Sequence, residues 1–145
     1  MPDFPPLSLM VDEIVRLLIA YALAFPIGWD REYNSASASG IRTFPIVSVA
    51  CCGMIMVSHD LPGATADSYS RVIQGLMTGI GFVGAGAIMR DRGDKAEAIA
   101  GTSSAASVLS VSIIGASVGL NAYHIAIPLA LITFITLRYM TKLKK

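Results

Sequence analysis

Five blocks of apolar residues, at 7–29, 44–58, 72–89, 99–120 and 122–139, run through this chain with only short polar segments between them. A helix rises about 1.5 Å per residue, so about 20 apolar residues cross the roughly 30 Å hydrocarbon core of a bilayer. Four blocks approach or exceed that length; the second, at 15 residues, must borrow from its flanks or sit in thinned lipid. Only 14% of the residues are charged, against about 25% in soluble domains, too few to cover a water-facing surface. A mean hydropathy of +0.63 agrees. The blocks predict an all-α polytopic membrane protein with about five transmembrane helices, the whole chain, 1–145, forming one transmembrane domain. The lipid bilayer is its expected partner, and nucleic acid is not.

The basic residues set the expected orientation. Arg31 and Arg42 lie in the first connection, Arg90, Arg92 and Lys95 in the third, and Arg138, Lys142, Lys144 and Lys145 in the tail, which makes nine of eleven. The second connection has only Arg71, and the fourth has none. Cytoplasmic loops carry the excess of Lys and Arg, so the N-terminus is expected outside and the C-terminus inside, as an odd number of spans requires. The outer face is then acidic, with Asp3, Asp12, Glu13, Asp60 and Asp67 near His59 and His124. It reads either as a solvated face or as one with a weak attraction for Mg2+, which prefers carboxylate oxygens and keeps its waters. No bound cofactor is expected.

Three local features bear on the spans. The small residues in "IAYALAF" resemble a signal-peptidase site, but no Lys or Arg precedes Arg16 and the apolar run continues to Trp29, so a retained first helix is expected. Pro26 and Pro128 fall within the first and fifth spans and are expected to kink them. Cys51 and Cys52 are adjacent in an apolar block, which suits small-residue packing better than a strained disulfide or a metal site.

The stretch "GLMTGIGFVGAGAIM" spells G-x-G-x-x-G with Gly79, Gly81 and Gly84. A dinucleotide fingerprint needs a preceding strand and an acid about 20 residues further on. Here the glycines sit inside an apolar span, and no Asp or Glu follows Glu97. In lipid, glycines let helices approach closely. Gly75, Gly79 and Gly86 share one face with Phe82, while Gly81 and Gly84 lie on the other side. The third span is therefore expected to be gripped from two sides as the central helix.

A further stripe on that span, Arg71, Gln74 and Thr78, continues to Gly81 and Ala85; with Thr102 and Ser103 on the fourth span it lines a polar pathway or bonds to neighbouring helices. The serines of "GTSSAAS" have no histidine near them to act as a base, and buried serines usually bond the carbonyl one turn back. No nucleophile–base pair or metal constellation appears, so an enzyme is not expected.

The segment "GWDREYNSASASGIRTFPIV" concentrates charge where the first helix leaves the membrane. Arg31 and Arg42 either snorkel to lipid phosphate or join Asp30 and Glu32 in one ion-pair cluster, closed by Arg90 and Asp91. In the cluster reading Gly40 supplies the turn and Thr43 caps the second helix.

Four motifs in order, "IGWDREY", "GIRT", "GIGFVGAGAIM" and "IAGTSSAAS", resemble the membrane domain of the MgtC/SapB family. Members typically read I-G-x-E-R-E, G-L-R-T, G-I-G-F-L-G-A-G and G-L-T-T-A-A. Asp30 stands where the family usually has Glu, Ile41 and Val83 replace Leu, and Ala100 and Ser103 depart. The tryptophan that often follows the last motif is absent. The resemblance implies a five-helix domain of the bacterial inner membrane without established catalytic activity. It implies a link to magnesium limitation and stress adaptation, with the chain modulating other membrane proteins such as the ATP synthase. A homo-oligomer is expected, and a small ion transporter or channel is the alternative. Many members also carry a cytoplasmic C-terminal domain resembling small ligand-binding folds; ending at Lys145, this chain is expected to be the membrane domain alone.

Overall fold

The computed structural model describes residues 6–34, 40–61, 63, 65–90 and 95–140. Five α-helices follow in chain order: α1 (Leu7–Asn34), α2 (Thr43–Asp60), α3 (Ala66–Arg90), α4 (Lys95–Gly119) and α5 (Tyr123–Met140). No strand occurs among the described residues. Three helices hold stretches long and apolar enough to cross a membrane, Thr43–Asp60, Ala66–Ile88 and Gly101–Gly119, and α5 offers the shorter Tyr123–Tyr139. α1 is the longest at 28 residues, about 42 Å. Asp12, Glu13 and Arg16 at one end and Asp30, Arg31 and Glu32 at the other leave only Leu17–Trp29 uncharged between them.

The helix ends follow local chemistry. At the start of α3, Thr65 and Ser68 bond reciprocally, each hydroxyl accepting the other's backbone N–H at 3.3 Å, a capping box with serine in the usual Glu position. α4 closes on Asn121, whose φ of 58° is left-handed. Asn121 N donates to Val118 O and Ala122 N to Ser117 O, which is a Schellman turn with Asn in place of Gly. α2 begins at Thr43 with Arg42 in the N-cap position and no side-chain cap. Thr43 is thus the first helical residue rather than the expected cap, and Phe44 N instead bonds Gly40 O at 3.2 Å. Pro45 falls in that first turn, where its missing N–H costs nothing. Pro26 and Pro128 lie inside helices that continue past them.

α4, not α3, is the central helix. It touches all four others, whereas α3 touches only α2 and α4. The reason lies in glycines of α4. A Cβ at Gly115 would stand 2.0 Å from Ser48 O, and one at Gly119 would stand 2.8 Å from Cys52 O. Gly115 and Gly119 form a G-x-x-x-G pair on which the α2 backbone lies directly. On α3 a Cβ at Gly75, Gly79, Gly81 or Gly86 would meet nothing within 4 Å, and only Gly84 packs, 3.5 Å from Ala105 Cβ. α3 thus meets two neighbours, α2 and α4, but of its glycines only Gly84 makes a close contact among the described residues.

The core gathers around α4, where Val108, Val111, Ile114 and Val118 meet Ala20, Ala24 and Ile27 of α1 and Phe44 and Cys52 of α2. Ser107, Ser110 and Ser112 each bond the carbonyl four residues back, at 2.7–3.1 Å, so these hydroxyls are satisfied within their own helix. Ser48 Oγ crosses between helices to Ala20 O at 3.0 Å. Cys51 and Cys52 are both free and buried.

Candidate functional site

The last turns of α1 are the only place among the described residues where charged side chains are nearly excluded from solvent. Asp30 is 3% and Arg31 4% exposed. Burying an ion is costly unless it is paired and hydrogen-bonded, and α4 and α5 supply partners to these two side chains, though not to Arg31 Nε. Arg31 Nη2 donates to Ser104 Oγ at 2.5 Å and Nη1 to Ser103 Oγ at 3.3 Å, tying α1 to α4. Arg138 Nη1 of α5 donates to Asp30 Oδ1 at 3.3 Å. Glu32 Oε2 accepts the backbone N–H of Ile41 at 3.3 Å, tying α1 to the returning chain.

That return depends on two glycines. A Cβ on Gly40 would stand 2.6 Å from Gly28 O and 2.8 Å from Glu32 N, and one on Gly28 would stand 2.8 Å from Gly40 O. Backbone lies on backbone here, and no larger residue fits without moving one of the two segments. Arg31 in the last turn also faces the negative end of the α1 dipole, which favours a cation.

Of the residues that sequence reasoning grouped, Asp30, Arg31 and Glu32 come together at this junction. Arg42 is exposed and joins no ion pair among the described residues. Arg138 occupies the role of acid partner instead. Thr43 is half-buried beside the junction. Asp91 and the side chain of Arg90 lie outside the described residues. Ser103, grouped with the polar stripe, belongs to Arg31. Thr102 is exposed, and Arg71, Gln74 and Thr78 are all exposed on α3, so these five residues do not line one passage through a single chain. Arg138 and Ser104 were not anticipated. Their only signal was residue type, an Arg and a Ser near the same predicted membrane boundary as Asp30.

The junction holds charge, and its described contacts are ion pairs and hydrogen bonds. Ser103 and Ser104 face a guanidinium that cannot take a proton, and no histidine lies among these contacts. Two acids, Asp30 and Glu32, stand with two bases, Arg31 and Arg138. No group of three His, Cys, Asp or Glu side chains placed for a metal occurs among the described residues.

At the opposite end of the bundle a cavity of about 280 Å³ is bordered by Asp12, Glu13, Arg16, His59, Asp60 and Asn121, among others. Arg16 pairs with Asp12 one turn earlier, and His59 Nδ1 lies 3.6 Å from Asp60 Oδ1. Of the acids expected there, Asp12 is thus matched by a local cation, Arg16.

A family profile described as the MgtC family matches residues 17–145. Among individual relatives, Protein SrpB of Synechococcus elongatus is 29% identical over 139 residues, which cover 90% of this chain and 75% of SrpB. Protein MgtC of Salmonella typhimurium is 36% identical over 83 residues, 57% of this chain and 34% of that protein. Protein SapB of Bacillus subtilis is 25% identical over 135 residues, 89% of this chain and 56% of SapB. The chain thus spans most of SrpB but only about a third of MgtC. No solved structure matches it.

Proposed function

The chain belongs to the MgtC family, and from that premise we propose that it is a non-enzymatic protein of the bacterial cytoplasmic membrane, linked to magnesium and ion homeostasis and to stress adaptation. It acts by modulating other membrane proteins, the ATP synthase being one such partner. It crosses the membrane five times, with the N-terminus outside and the charged junction at the cytoplasmic boundary, the orientation favoured by nine of eleven basic residues.

The observation that carries this reading is the buried junction of Asp30 and Arg31. It spends two buried charges on joining α1, α4 and α5. Such a junction suits a protein whose surface is presented to a partner better than one that turns over a substrate.

Transport is the second reading, favoured by the outward stripe of Arg71, Gln74 and Thr78, which would border a polar path between copies. Purified protein in liposomes separates the two. The modulator reading expects Mg2+ and monovalent-cation flux no greater than in empty liposomes. Selective flux, abolished by Gln74→Leu, would replace it with transport.

A further inference from the structure

α3 presents the wrong face to lipid. Along residues 66–88 only Ile80 and Gly84 are buried, and Leu76 and Ile80 pack into the core. The opposite face carries Arg71, Gln74, Gly75, Thr78 and Phe82, all exposed, with Phe82 at 82%. A helix bordered by lipid usually turns large apolar side chains outward and keeps small and polar ones against protein. Here a carboxamide and a hydroxyl stand outward within an otherwise apolar span.

Their hydrogen bonding sharpens the point. Thr78 Oγ1 donates to the Gln74 backbone carbonyl at 2.9 Å, which satisfies the hydroxyl proton. The Gln74 carboxamide has no partner among the described residues. Left in hydrocarbon, an amide without a partner costs several kcal/mol. One turn nearer the helix start, Asp67 and Arg71 share this face, and neither joins an ion pair among the described residues.

We propose that this face of α3 is the contact between two parallel copies of the chain, related by a two-fold axis along the membrane normal. The face complements itself. A carboxamide is both donor and acceptor, so Gln74 of each copy can bond the other across the axis. Helical side chains lean toward the N-terminus, which carries each Arg71 guanidinium to the level of the other copy's Asp67. Gly75 leaves the backbones free to approach, and Phe82 fills the space below. A second copy answers both charges and the amide at once, and two copies inserted with the same orientation need no further element.

The test uses the full chain in its native membrane. Cys51 and Cys52 are buried, so the unmodified protein serves as the blank for oxidative cross-linking. Thr78→Cys and Phe82→Cys should each give a disulfide-linked homodimer, while Ile132→Cys, 62% exposed on α5, should not. Gln74→Leu, which removes no side-chain hydrogen bond among the described residues, should weaken dimerisation in lipid about threefold to thirtyfold, read by single-molecule photobleaching. The proposal stands only if both results hold. Cross-linking no greater at Thr78 and Phe82 than at Ile132, linkage to a different protein, or unchanged dimerisation in Gln74→Leu each overturns it.

Discussion

Arg31 and Arg42 lie eleven positions apart, in the last turn of α1 and just before α2, and have opposite fates. Arg31 is buried and forked across two serines of α4, while Arg42 is exposed at the N-cap of α2. A guanidinium reaches two hydroxyls at once from a fixed plane; an ammonium on a shorter, flexible stem does not. Arg31→Lys is expected to lower the thermal stability of the purified protein by about 1–3 kcal/mol, the range for a buried donor set left incomplete. Arg42→Lys should stay within about 0.5 kcal/mol of the parent. Equal effects would return both residues to lipid snorkelling. At this scale the sequence was informative about local partners. Asp30, Arg31, Glu32 and Gly40 lie within one turn-and-return of chain, where spacing limits what they can reach. Arg138 is 108 positions from Asp30, and no periodicity says which helix ends become neighbours.

The helices themselves were legible from hydrophobic length, with ends extended where caps rather than apolarity decide. α3 starts at Ala66, six residues before its apolar block, because Thr65 and Ser68 cap it there. α1 runs on to Asn34 through charges that the fold buries. The arrangement of helices was less legible. Glycine density pointed to α3, yet the close contact is made by Gly115 and Gly119 in "GASVG", the same G-x-x-x-G spacing in a span with fewer glycines. Spacing identifies a face that permits close approach; which partner uses it depends on the other helices. Gly115→Leu should therefore prevent α2 from seating on α4 and remove the folded protein from the membrane fraction, since the space for even one methyl is occupied by Ser48 backbone. Gly79→Leu should leave the single-chain bundle folded, as nothing lies within 4 Å. Membrane abundance and protease resistance compare the two directly, and equal loss in both would restore α3 as a gripped helix.

At the level of the whole molecule, two ends with different chemistry share one apolar bundle. One end carries a cavity edged by charged side chains of α1 and α2; the other closes α1, α4 and α5 around buried, balanced charges. Between them, Gly115 and Gly119 let α2 lie on α4 backbone to backbone, beside a core of Val108, Val111, Ile114 and Val118. A change at the junction would thus be felt by three helices through short, stiff contacts. Asp30→Asn tests most directly whether this junction serves function as well as folding. The substitution keeps the shape and removes the charge that Arg138 answers, and Arg138, 48% exposed, retains access to water. In a strain lacking the gene, Asp30→Asn is expected to reach normal membrane levels and yet fail to restore growth under magnesium limitation. Full restoration at normal abundance would contradict a functional role and leave Asp30 with a structural one alone.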